Sequence, residues 1–192
     1  MMVRLGIFGL GLMLASAVAA DTAVPTATTA TFGAWTVACS MVAQADGSAP
    51  KQFCQMTTRL NLKGQDGQMH PLLAFTIGTP PGGKVARMAL QVPTDVALRD
   101  GVAISLDKPP AVGADVNAVK DQDVLLALTY ATCTPEGCVA DADGSDALWG
   151  KLKAVKSANV GFTALTGMKK ILVPVSMDGF ADAMAALEAN AK

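Results

Sequence analysis

The segment Phe32-Gly33-Ala34-Trp35-Thr36-Val37-Ala38-Cys39-Ser40, read beside Cys54-Gln55-Met56-Thr57-Thr58-Arg59-Leu60, decides the fold class. Trp35, Val37 and Cys39 fall on alternate positions of the first stretch, and Cys54, Met56, Thr58 and Leu60 on alternate positions of the second. A period of two belongs to a strand with one face in the core and one in water. Both stretches therefore read as half-buried strands.

The same grammar continues outward. Leu72–Ile77 is a compact apolar run closed by Gly78, Pro80, Pro81, Gly82 and Gly83, residues that do not extend a ladder. Val85–Val92 resumes as a strand. In Val96–Leu106 the order apolar, Arg99-Asp100-Gly101, apolar predicts a hairpin, because Gly101 tolerates the positive φ of a tight turn. Asp107–Asp123, rich in Pro, Gly, Asp and Lys, reads as a long loop. Val124–Tyr130 is apolar and leads into Cys133-Thr134-Pro135-Glu136-Gly137-Cys138, where Pro135 presets a type I turn. Val160–Leu165 and Lys170–Val175, joined through Thr166-Gly167-Met168, read as a terminal hairpin.

Two short helices interrupt this pattern near the C-terminus. Ser145 can cap the first, which carries Leu148, Leu152 and Val155 on one stripe; the second follows Asp178-Gly179 to about Ala189, with Phe180, Met184 and Leu187 on its apolar face. Many short strands without strand–helix alternation predict an antiparallel β-sandwich with helical additions, and argue against a parallel nucleotide-binding sheet. Residues 32–192 form one domain in this reading.

Ahead of it, Met1–Ala20 has the order of a secretory signal: Arg4, the apolar run Leu5–Leu14, then small residues ending Ala17-Val18-Ala19-Ala20. Cleavage is expected near Ala19 or Ala20, leaving residues 21–31 as a flexible Thr/Ala-rich tail and no transmembrane segment after cleavage. The formal net charge of −1 and the absence of a long basic block give no footprint for nucleic acid.

Four cysteines in an exported chain favour disulfides over metal or redox work. They permit three connectivities. Loop entropy does not select the local one, since a short Cys133–Cys138 loop contributes roughly 2 kcal/mol against roughly 5 for a loop spanning most of the domain. Geometry does: the turn between Cys133 and Cys138, and a hairpin-like return from Cys39 to Cys54, bring Cα atoms within bridging range. The expected pairs are Cys39 with Cys54 and Cys133 with Cys138.

Other chemical candidates are sparse. His70 is the only histidine and has no nucleophile motif beside it. Gly82-Gly83-Lys84 lacks the upstream glycine and the following Ser or Thr of a phosphate loop and reads as a turn. Asp141, Asp143 and Asp146 begin like a calcium loop, but the glycine is early and the bidentate position falls on Leu152, so a capping turn explains them better. No cofactor or metal is expected. Met56, Met88, Met177 and Met184 fall at core positions, as does Trp35. Trp149 lies beside its helix stripe and reads as a core-boundary residue, with an exposed partner anchor as the alternative.

Phe32–Cys39, Cys54, Val96–Ile104, the Cys133–Cys138 turn and Val173-Pro174-Val175-Ser176-Met177-Asp178-Gly179-Phe180 together resemble, in order, the invasion-associated locus B family of exported proteins from Gram-negative bacteria. The resemblance implies an immunoglobulin-like antiparallel β-sandwich in the periplasm or associated with the outer membrane, with no catalytic residues to carry over. Members in pathogens are linked to host-cell entry, which implies virulence only where the source is a pathogen.

The leading functional expectation is a noncatalytic exported module, not an enzyme, that contacts a protein partner of the cell envelope or a host surface. The alternative is a periplasmic small-ligand or metal-binding protein using the Asp141 cluster or the 107–123 loop; a third reading is a hydrolase built on His70. An exposed apolar patch would favour the first, a polar concavity the second, and His70 in a cleft beside a hydroxyl the third.

Overall fold

The computed structural model describes residues 27–44, 46–64, 66–80, 83, 85–106 and 124–190. The expected signal segment and the 107–123 loop lie outside the described residues, as does most of Gly82-Gly83-Lys84.

Among the described residues ten strands follow one another as β1 (Ala27–Phe32), β2 (Trp35–Val42), β3 (Lys51–Lys63), β4 (Met69–Gly78), β5 (Arg87–Val92), β6 (Val102–Ser105), β7 (Val124–Thr134), β8 (Gly137–Asp143), β9 (Ser157–Ala164) and β10 (Lys169–Ser176). Helix α1 (Asp146–Lys153) lies between β8 and β9, and α2 (Phe180–Asn190) follows β10. Every strand pair is antiparallel, in the lateral order β1-β2-β3-β4-β5-β8-β7-β6-β9-β10.

Two layers arise because β7 changes partners along its length. Val124–Leu128 pairs with β6, whereas Thr129–Thr134 pairs with β8 across a register shift between Tyr130 and Thr132. A bulge of this kind bends a strand and increases its twist, so one strand serves as the corner between the layers. The inner positions of both layers meet in one core that includes Trp35, Met56, Phe75, Met88, Leu90, Ile104, Val160 and Val175. The alternation expected over Trp35–Cys39 and Cys54–Leu60 is present: Trp35, Val37, Cys39, Cys54, Met56 and Thr58 are buried, and Leu60 is half-buried.

Trp35 ties the layers together. Its indole stacks edge-to-face on Phe75 at 5.3 Å and on Phe180 of α2 at 5.0 Å, and its Nε1 donates to Ser176 O at 3.0 Å. Next to it the β1–β2 and β10–α2 turns interlock, with Ala34 N donating to Asp178 O at 3.1 Å. Both turns need glycine: Gly33 and Gly179 have φ of 53° and 75°, and a Cβ on Gly179 would stand 2.1 Å from Phe32 O.

Both helices form, but α1 ends at Lys153, so Val155 of the expected stripe lies beyond it. Ser145 Oγ accepts from Leu148 N at 3.3 Å, and Leu148, Trp149 and Leu152 are buried beneath α1. In α2 the buried residues are Phe180, Ala183, Met184 and Leu187. The core placements of Met56, Met88, Met177 and Met184 also hold, each at 5 % exposure or less.

Three expectations are corrected. Phe32–Ser40 is not one strand, because Gly33-Ala34 turn the chain between β1 and β2. The tail assigned to 21–31 is ordered in its last part: residues 27–31 belong to β1, an exposed edge strand held by backbone pairing to β2, so it shows no apolar alternation. Val96–Leu106 is not a hairpin. Val96 bridges Ala164 and Leu98–Asp100 make a short helical turn, while β6 is inserted between β7 and β9. Gly101 does take a positive φ of 67°, but it steers the chain into a central strand rather than back onto the previous one.

Candidate functional site

The sequence-flagged groups are mostly occupied with one another. Cys39 faces Cys54 across β2–β3 and Cys133 faces Cys138 across β7–β8, and both pairs are disulfides; no free cysteine remains. Register explains the pairing, since directly opposed residues on antiparallel strands have neighbouring Cβ atoms.

His70 sits on the exposed start of β4, with Nε2 3.0 Å from Asp66 Oδ2. The Gln68 backbone N–H, and then His70, hold the Asp66 carboxyl below its ordinary range. This is a surface pair at a hairpin end, not a cleft with a nucleophile.

Asp141 and Asp143 are spoken for by Arg87, whose Nη2 lies 2.7 Å from Asp141 Oδ2 and whose Nε lies 2.9 Å from Asp143 Oδ1. Asp146 opens α1, where a carboxylate complements the helix dipole. The calcium alternative thus meets a guanidinium on two of its three carboxylates. Among the described residues no cluster of three or more His, Cys, Asp or Glu side chains could hold a metal. Gly83 N donates to Pro80 O at 2.8 Å, as a turn does.

Trp149 is buried at 7 % exposure against Gly144, where a Cβ would fall 1.7 Å from its Cζ2. It is therefore a core residue and not an exposed anchor. Tyr130 on β7 has a buried hydroxyl without a hydrogen-bond partner among the described residues, and burial first, then the Asp100 carboxylate, push its pKa up to about 12.

The unexpected feature lies at one end of the sandwich. A cleft of about 590 Å³ opens between the β3–β4 and β9–β10 hairpins, its walls carrying Leu60, Leu62, Leu72, Phe162, Ile171 and Val173. Seven large apolar residues are markedly exposed in the described structure, and five belong to loops and hairpin ends; of the five only Leu62 lines the cleft, and Leu165 follows its lining residue Ala164. The five are Leu62 (55 %) and Met69 (62 %) of the β3–β4 end, Leu98 (55 %), and Leu165 (58 %) and Met168 (60 %) of the β9–β10 end.

Backbone contacts gather these tips. Leu165 N donates to Asp95 O and Ala97 N to Thr163 O, so the 95–98 segment lies along the β9–β10 end; Thr166 N completes the join to Asp95 Oδ1. Lys63, Lys169 and Lys170 stand exposed beside the apolar residues, and none forms an ion pair among the described residues. Met168 has φ of 47°, beside Gly167 at 73°. A left-handed methionine with an exposed side chain costs the fold roughly 1–2 kcal/mol relative to glycine at that position.

Sequence reading missed this surface because each residue looks ordinary alone. Its signal is that Leu62, Leu165 and Met168 flank turns where polar residues are the norm.

Fold and site together define a disulfide-stapled antiparallel β-sandwich with an apolar cleft at one end. The chain belongs to the invasion associated locus B (IalB) protein family, whose model matches residues 35–188. Two invasion protein B homologs of Brucella abortus, from strain 2308 and from biovar 1 strain 9-941, are each 27 % identical over 162 residues, covering 84 % of this chain and 80 % of theirs. The fold is similar to the crystal structure of invasion associated protein B from Bartonella henselae, with a TM-score of 0.61 and 21 % identity over 84 % of this chain and 95 % of that one.

Proposed function

We propose that this protein is a noncatalytic exported module of the periplasm or outer membrane that acts by protein contact through the apolar end of its sandwich. The observation that carries the reading is the apolar cleft itself, walled by Leu60, Leu62, Leu72, Phe162, Ile171 and Val173, with exposed Leu165 following its lining residue Ala164. Contiguous exposed apolar surface is costly in water and marks interaction sites. The strained, solvent-facing Met168 sharpens this, since the position gives up local stability for a soft side chain at the tip.

The exposed lysines beside the tips, which form no ion pair among the described residues, suit a partner segment with an apolar centre and acidic flanks. The groups best equipped for covalent chemistry are committed elsewhere: both cysteine pairs are closed and His70 is held by Asp66. The relatives' names speak of invasion; in a pathogen, the same contact surface would serve host-cell entry.

Cell fractionation tests the location, and photo-crosslinking in intact source cells tests the surface. A crosslinking residue at Leu165 or Leu62 should trap one protein in the envelope fraction, while the same residue at Lys151 of α1 should not. Equal trapping at all three positions, or trapping of lipid alone, would overturn the reading.

A further inference from the structure

The two edges of the sheet are built differently. β10 ends one side of the strand order, and it carries the usual guards against pairing with another chain: exposed Lys169 and Lys170, Pro174 within the strand, and Ser176 O occupied by the Trp35 indole. β1 ends the other side with none of these. Its sequence Ala27-Thr28-Thr29-Ala30-Thr31-Phe32 has no charge and no proline, and its first five residues are exposed. One backbone edge is fully paired to β2, which holds the strand extended, and among the described residues no strand pairs with the other edge, which stands as a pairing template.

We propose that β1 pairs with β1 of a second copy of this chain, antiparallel about a two-fold axis, to make a continuous sheet through a homodimer. The inference rests on β1 and is independent of the reading given to the apolar cleft.

Self-complementarity selects the second copy as occupant. In an isologous pair each residue meets a residue of the same strand, so a charged edge strand would bring like charges together; β1 brings none. The face pattern then limits the register. Phe32 packs towards the core, so Thr28, Ala30 and Phe32 share the inner face, whereas Ala27, Thr29 and Thr31 share the outer one. Opposed residues must share a face, which permits Thr29 opposite Thr31 with Ala30 on the axis, or Thr29 opposite itself.

The first of these registers, which sets Thr31 opposite Thr29 of the second copy, extends a feature already present. Thr31, Thr36, Thr57 and Thr76 lie laterally in register on four neighbouring strands, with Thr31 Oγ1 3.5 Å from Thr36 Oγ1 and Thr57 Oγ1 3.1 Å from Thr76 Oγ1. Pairing at β1 carries this hydroxyl-bearing row across the axis into the second copy. A six-residue edge buries little surface, so the dimer belongs to the weak, concentration-dependent class rather than the obligate one.

The test is sedimentation equilibrium over a dilution series of the protein in the form the cell produces. Wild type should shift from monomer towards dimer as concentration rises. Thr29→Lys with Thr31→Lys should remain monomeric at the same concentrations while keeping its circular dichroism and melting temperature, because these side chains are exposed and the β1–β2 backbone pairing is untouched. Mixing that variant with Thr29→Glu, Thr31→Glu should restore mixed dimers, a rescue that damage to the fold cannot give. A wild type that stays monomeric throughout, a lysine variant that dimerises as well as wild type, or a mixture without rescue would each overturn the proposal.

Discussion

Removing the two disulfides one at a time should cost unequal amounts of stability, with Cys39–Cys54 the more expensive. The bridges close separations of 15 and 5 residues. Loop-closure entropy in the unfolded chain then assigns about 3 kcal/mol to the first and about 2 kcal/mol to the second. Packing widens the gap, because Cys39 and Cys54 are both 6 % exposed, whereas Cys133 is exposed and only Cys138 is buried. Each buried sulfur lost to alanine adds roughly 1 kcal/mol. Cys39→Ala with Cys54→Ala should therefore lose about 5 kcal/mol, and Cys133→Ala with Cys138→Ala about 3 kcal/mol. Urea unfolding followed through tryptophan fluorescence measures this, since both tryptophans, Trp35 and Trp149, are buried in the native state. The m-value should rise in both variants, as the denatured chain loses a constraint and exposes more surface. An equal or reversed order of losses would refute the reasoning.

Other outcomes follow from single side chains. Gly144→Ala should destabilise by about 2–4 kcal/mol and red-shift the fluorescence of Trp149, since the new Cβ collides with its indole; an unchanged urea midpoint would contradict that packing. The chain has one tyrosine, so tyrosinate absorbance reports Tyr130 alone: its native midpoint should lie near about 12, against 10 in denatured protein. Because the folded value is the higher one, the associated stability is fully present below pH 10 and is lost between 10 and 12; a native midpoint at 10 would refute the burial of the hydroxyl. Met168→Gly should leave the fold intact and stabilise it by roughly 1 kcal/mol in thermal melts by relieving the left-handed conformation, while weakening partner capture. A loss of stability would show that the methionine is structural.

Strand faces, both helices and both disulfides were legible in the sequence because each depends on a local period or a register between neighbouring strands. Trp35, Val37 and Cys39 on one face imply the opposing Cys54, Met56 and Thr58, and the Ser145 cap marks the start of α1. What local pattern could not reveal was set by distant partners. β1 is a strand only because β2 lies beside it, and Val102–Ser105 is central only because β7 and β9 arrive later on either side. Asp141 and Asp143 read as part of a capping turn, with calcium as the alternative, whereas both lie on β8 with their carboxylates taken by Arg87, more than fifty residues earlier in the chain. The apolar end was the least visible feature, since Leu60 and Leu62 of β3, Phe162 of β9 and Ile171 and Val173 of β10 line one cleft only through topology.

The claim that this end is the working surface is tested most directly by the affinity of the trapped envelope partner for a Leu62→Asp, Leu165→Asp double variant. Both positions are more than half exposed, so the variant should melt at the wild-type temperature. Two central apolar contacts contribute on the order of 1–2 kcal/mol each at an interface, which predicts binding at least about tenfold weaker than wild type. Unchanged affinity in a normally folded variant would contradict the account and move the contact surface elsewhere on the sandwich.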